Sequence, residues 1–185
     1  MNQKITQVLK ELREFGLANE VPNITDENAE FLMNLVKENN IKNMLEIWTA
    51  NGFSAICFAS VLSEQYWHIT SIEFSSLSHE QAIKNIENAW LQDNVTLVLW
   101  QALDIIPTLE DDSFDFIFID GMKRRSKDFL ELSWPKAKSW AIIVIDDVIK
   151  FKHKMISLYE YLEEKGIWYE VLKIDADDGI MIIRK

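Results

Sequence analysis

Asn43-Met44-Leu45-Glu46-Ile47-Trp48-Thr49-Ala50-Asn51-Gly52-Phe53-Ser54 is the stretch on which the fold turns. Residues 43–47 read as a strand, and an apolar helical pattern runs through residues 54–62. A short polar turn joins them. In α/β proteins such a strand-turn-helix junction cradles a nucleotide-like ligand, and close approach there calls for residues without a Cβ. Gly52 meets that need. Trp48, the bulkiest side chain available, stands at the head of the same turn.

Working outward, strand and helix signals alternate. Strand 43–47 leads to helix 52–63. Strand 69–74 leads to helix 78–89, where Ser78 and Gln81 have capping-box spacing. Strand 95–99 precedes a short helical stretch over 102–109. Strand 114–119 leads to helix 126–132, and strand 141–145 to helix 152–165, stopped by Gly166. Five βα units with nearly continuous apolar strands predict a parallel sheet covered on both faces. Strands 168–174 and 180–184 flank Asp175-Ala176-Asp177-Asp178-Gly179, whose Asp-Gly pair signals a hairpin, so the last strand should run antiparallel. Before the alternation, Ile5, Val8, Leu9 and Leu12 predict a first helix ending near Gly16. Thr25 to Asn28 offer start residues for a second. The expectation is one domain over 1–185, with the helices of residues 1–40 packed on its core.

Hydrophobic residues make up 48% and charged residues 26%, ordinary values for a globular protein. No apolar run reaches the 18 or so residues of a membrane span, and the N-terminus lacks a signal-peptide core. The lone cysteine, Cys57, lies in an apolar helical segment and reads as a buried structural thiol, which fits a reducing cytoplasm. The net charge of −11 argues against general nucleic-acid affinity. Yet residues 123–154 hold nine Lys/Arg against four Asp/Glu. That segment is either a solvated face or a basic rim for an anionic substrate.

Ligands of open α/β sheets bind beyond the carboxyl ends of the strands. Polar residues there are Glu46, Thr49, Asn51, Gly52 and Ser54 after the first strand and Glu73 at the end of the second. Gln101 and Ala102 follow the third, Asp120 and Lys123 the fourth, and Asp146 and Asp147 the fifth. An acid at the position of Glu73 can accept from ribose hydroxyls. Asp120, Asp146 and Asp147 should converge, and three carboxylates without Cys or His partners suit a hard cation such as Mg²⁺. Lys123 could take a proton from a hydroxyl bound there. His68, His79 and His153 have no metal-ligand spacing and receive no role.

Together these segments resemble the S-adenosylmethionine-dependent O-methyltransferases of the catechol and caffeoyl-CoA type, including small bacterial relatives. Leu45 to Ser54 looks like the family's first cofactor motif, Ile72-Glu73 like its ribose-binding acid, and Phe114 to Lys123 like its metal-aspartate and catalytic-lysine segment. Ile145-Asp146-Asp147-Val148 is similar to its metal pair, with Asp147 in place of the usual Asn. The resemblance implies a Rossmann-like methyltransferase fold of seven strands, mostly parallel with an antiparallel C-terminal strand. Glu46, Ser54, Glu73, Ala102 and Asp120 would lie around S-adenosylmethionine. Asp120, Asp146 and Asp147 would hold Mg²⁺ or another divalent cation, and Lys123 would deprotonate the acceptor. That acceptor would be a small catechol-like phenol or a hydroxylated uridine in tRNA, with a homodimer as a further expectation. A nicotinamide-dependent oxidoreductase is a weaker reading, resting on Gly52 and Glu73. A non-catalytic protein with this fold is another.

Trp48, Trp90, Trp100 and Trp140 stand where that family's pattern has glycine, and Gln101 where it has Asp. Five glycines in 185 residues are few against about 7% in ordinary usage, and seven tryptophans are many. The codon UGA is read as glycine in some bacteria and as tryptophan in others, so a wrong translation table would produce this pattern, as would deliberate substitution. Trp48 and Trp100 are expected to obstruct the cofactor crevice.

Overall fold

A computed structural model describes residues 3–62, 67–176 and 178–185. Seven strands form one sheet in the order β3-β2-β1-β4-β5-β7-β6. They are β1 (Asn43–Ile47), β2 (His68–Glu73), β3 (Val95–Leu99), β4 (Phe114–Ile119), β5 (Ala137–Ile145), β6 (Glu170–Lys173) and β7 (Gly179–Arg184). Strands β1 to β5 pair in parallel, and β7 runs antiparallel to both β5 and β6. The expected α/β architecture with its antiparallel last strand is what forms.

The period of two decides which side chain meets which layer. On β4, Phe116 and Phe118 face one layer with Leu32, Val36 and Phe58, while Ile117 and Ile119 face the other with Leu130, Ile143 and Leu158. All six residues of β4 are buried. The first layer holds α1 (Gln3–Asn19), α2 (Asp26–Glu38) and α3 (Phe53–Val61). Arg13 of α1 lies 4.3 Å over the Phe53 ring and pairs with Asp26 at 2.7 Å, tying the N-terminal helices to the start of α3. Cys57 is buried in α3, and burial pushes its thiol up to about 12. No helix among the described residues is long and apolar enough to cross a membrane.

Several boundaries differ from the sequence reading. Gly16 does not stop α1. It is buried within the helix, which runs to Asn19. The cap of α4 (Ser76–Asn88) is Ser75, whose hydroxyl accepts from the Ser78 N–H, so the spacing of Ser78 and Gln81 is not a capping box. The stretch 102–109 is one turn of α5 (Ala102–Ile105) followed by a 3₁₀ turn containing Pro107. Residues 152–154 likewise form a 3₁₀ turn, and α7 spans only Ile156–Lys165. The expected end of the third helix at Ser63, and Asp177 of the hairpin turn, lie outside the described residues.

Helix ends explain two anomalies of composition together. After α7, Gly166 takes φ +63, its N–H reaches the Glu163 carbonyl, and the Ile167 N–H reaches Leu162. After α4 the same motif recurs: Trp90 takes φ +59, its N–H reaches Glu87, and the Leu91 N–H reaches Ile86. Asn40 fills the equivalent place after α2 with φ +55. Glycine and asparagine suit this left-handed position, whereas a bulky residue there is strained by about 1–2 kcal/mol. Trp90 also leaves 68% of its surface in solvent, so its indole recovers little by packing. Trp100 and Trp140 are exposed too, but their backbones are not left-handed. Trp90→Gly should therefore raise the melting temperature, by about 2–4 °C for about 1 kcal/mol in a chain of this size. Trp168→Gly is the comparison: Trp168 is equally exposed but has no positive φ, and its replacement should not stabilise.

Candidate functional site

The loops after β1, β4 and β5 and the start of α2 enclose a cavity of about 670 Å³. Asp120, Lys123, Asp146 and Asp147 line it, as the sequence reading required, together with Asn28, Lys150 and Lys154. The Lys123 ammonium bridges two of the acids, 2.6 Å from Asp120 Oδ1 and 2.8 Å from Asp147 Oδ2. Burial alone would lower the pKa of Lys123, but Asp120 and Asp147 outweigh it and hold the amine above the ordinary lysine range. Asp146 is buried and accepts from Asn28 Nδ2 and from the Asp147 N–H, each at 2.9 Å. Burial, reinforced by Asp120, raises its pKa well above the usual carboxylate range. Asp147 has φ +60, a conformation that asparagine tolerates best among residues with a Cβ.

The three carboxylates share a cavity wall, but they do not converge as expected. Among the described residues no group of three or more His, Cys, Asp or Glu side chains meets at one cation position. The Lys123 ammonium already stands between Asp120 and Asp147 and supplies the positive charge. The donor chemistry still suits a hard cation, because these are oxygen ligands and the neighbouring Asn28 Oδ1 is buried without a partner among the described residues. The sequence marks Asn28 only as a helix-start residue. It lies 118 residues from Asp146, and only the fold brings them together.

The residues expected around a cofactor behave differently. Glu46 is fully buried and accepts from the hydroxyls of Ser54 and Ser71. Burial pushes it up to about 7. Thr49 shares a hydrogen bond with Ser71 at 2.5 Å. Glu73 is also buried; its two oxygens accept from the N–H groups of Ala50 and Ser75, each at 2.8 Å. Asn51 Oδ1 accepts from the Phe53 N–H, and Gly52 takes φ +87. Glu46, Ser54, Ser71 and Thr49 are thus joined by hydroxyl hydrogen bonds, while Glu73 is held separately by two backbone N–H groups, one of them from Ala50 at φ +48. Along Trp48, Thr49, Asn51, Ser54 and Asp120 only about 10 Å³ remains open. Gln101 and Ala102 line a separate, mostly apolar cavity of about 300 Å³ with Ile72, Phe74 and Trp100. Trp48 borders all three spaces.

The sequence profile of the O-methyltransferase family matches residues 2–185. The chain belongs to this family. A catechol O-methyltransferase from Mycobacterium tuberculosis is 33% identical over 135 residues, covering 72% of this chain and 61% of that protein. Another from Niastella koreensis is 31% identical over 130 residues, covering 69% and 58%. The matched stretch is thus about three fifths of the length of these two relatives. The solved O-methyltransferase from Bacillus cereus, in complex with SAH, superimposes with a TM-score of 0.86 at 26% identity, covering 97% of this chain and 91% of that one. Membership of the O-methyltransferase family sets aside the oxidoreductase reading.

The burial of Glu46 has a measurable signature. Glu46 holds its proton to about pH 7, against 4.5 for an ordinary glutamate. As pH rises through that window the unfolded chain releases this proton first, so stability falls and then levels off. Glu46→Gln should flatten that part of the stability profile. Urea denaturation should show the variant gaining about 1–3 kcal/mol relative to the parent between pH 5 and pH 8.

Proposed function

We propose that this chain's site is laid out for methyl transfer from S-adenosylmethionine to an acceptor hydroxyl, assisted by a divalent cation, with Trp48 standing in the cofactor's path. The observation that carries the reading is the placement of Asp120, Lys123, Asp146 and Asp147 on one cavity wall at the carboxyl ends of β4 and β5, in a chain of this family. Asp120, Asp146 and Asp147 would hold the cation, with Asn28 orienting Asp146. A bound divalent cation would supply Lewis acidity toward the acceptor oxygen. Lys123 as placed is protonated and cannot accept a proton. Released from its two carboxylates it would keep only the effect of burial, which lowers its pKa and suits it to take the acceptor's proton. Trp48 narrows the crevice along Thr49, Asn51 and Ser54 to about 10 Å³.

The relatives named catechol O-methyltransferase support a small phenolic acceptor. A hydroxylated uridine in tRNA is the second reading, favoured by one observation: Lys150 and Lys154 border the same cavity, carried on the segment that also holds Lys152. Asp178 fixes this basic loop by accepting from the N–H groups of Ile149 and Lys150 at 2.9 and 3.1 Å.

Mn²⁺ titration by calorimetry tests the cation site. Asp146→Ala should lose most of the heat, and Lys123→Met should bind several-fold more tightly, since it removes the competing ammonium. Equal affinity in all three proteins would end the assignment. The acceptor is tested in a Trp48→Gly background by comparing methyl transfer to catechol with transfer to hydroxyuridine-containing tRNA. The tRNA reading requires binding that weakens steeply with salt and falls further in Arg124→Ala/Lys152→Ala. Catechol methylation without RNA binding at low salt would favour the phenolic acceptor.

A further inference from the structure

Trp48 is the one side chain shared by the carboxylate-lined cavity, the apolar cavity of Gln101 and Trp100, and the narrow crevice along Thr49, Asn51 and Ser54. Its indole meets the Phe74 ring edge-on at 5.3 Å. It also spreads over Gly121, where a Cβ would lie 3.5 Å from the indole Cε3. Its backbone is left-handed at φ +89 and is pinned there, with the Trp48 and Thr49 N–H groups both donating to the Ile72 carbonyl at 2.9 and 3.2 Å. The turn therefore holds a conformation that glycine adopts freely and that a residue with a Cβ reaches only under strain. Among the described residues, no hydrogen bond of that turn uses the indole. The two large cavities differ in chemistry as the two ends of one elongated ligand would. One is rich in charge, and the other is lined by Ile72, Phe74 and Trp100 with the Gln101 amide at its edge.

We infer that Trp48 is a plug that divides one elongated cleft into two half-sites, and that position 48 is a glycine seat whose restoration joins the halves into a single site for an adenosyl amino acid. This rests on the O-methyltransferase reading. With the plug present, the apolar half of about 300 Å³ takes the nucleoside alone, so the amino-acid end of SAH adds nothing to binding. With the plug removed, the amino-acid end of SAH reaches along residues 49–54 toward Asp120.

Calorimetric titration of adenosine and SAH into the parent chain, Trp48→Gly and Trp48→Ala tests this directly. The parent should bind adenosine and show no SAH affinity beyond that of adenosine. Trp48→Gly should bind SAH at least about tenfold more tightly than the parent, or about 1.4 kcal/mol, with adenosine affinity unchanged within a few-fold. Trp48→Ala removes the indole but keeps a Cβ at positive φ. It should also gain SAH affinity, and it tests the plug if the glycine variant does not fold. Parent binding of SAH equal to that of both variants would overturn the plug and leave the methyltransferase reading standing. Folded variants that bind adenosine but never SAH would overturn both.

Discussion

Burial of the central strands on both faces is the constraint from which the rest follows. β1, β4 and the carboxyl half of β5 are covered by helices on each side, and almost every side chain they carry is sealed from water. Backbone groups in such a place must pair along the sheet, and side chains must be apolar or satisfied in place. Asp115 shows the second condition. It is buried on β4, and its carboxylate accepts from the N–H groups of Lys42 and Asn43. Polar chemistry able to meet a ligand is therefore pushed to the carboxyl edge of the sheet, where the chain leaves the strands.

At that edge two arrangements of charge lie side by side and behave oppositely. Glu46 and Glu73 are satisfied by hydroxyls and backbone N–H groups, so they form part of the scaffold. Asp120, Asp146 and Asp147 are balanced by one ammonium and one amide side chain, and they open onto a cavity. A carboxylate with fixed local donors has little left to offer a ligand. One held by another side chain's ammonium can exchange partners. This difference leaves the β4–β5 corner as the part of the edge whose charges open onto the large cavity.

That loop is where strain collects. Trp48, Ala50 and Gly52 all take positive φ within five residues, and only Gly52 does so without cost. Trp90 repeats the mismatch at a helix end where Gly166 fills the same motif elsewhere in the chain. Both tryptophans sit in backbone conformations suited to glycine, although one borders cavities and the other faces solvent.

The order of strands and helices, the antiparallel return of β7 and the candidates Asp120, Lys123, Asp146 and Asp147 were legible in the sequence. They follow from local periodicity, turn chemistry and the rule that ligands gather at strand ends. The unsuitability of Trp48 and Trp90 was legible too, because a missing glycine shows in composition and position. The partner of each carboxylate was not legible. Asn28 meets Asp146 across 118 residues, and Glu73 turns inward to Ala50 because the loop between β1 and α3 is left-handed. Pairings of that kind are set by how the sheet's edge folds back on itself. Local sequence can supply an acid at a strand end, but only tertiary packing decides whether a donor, a lysine or open space stands opposite it.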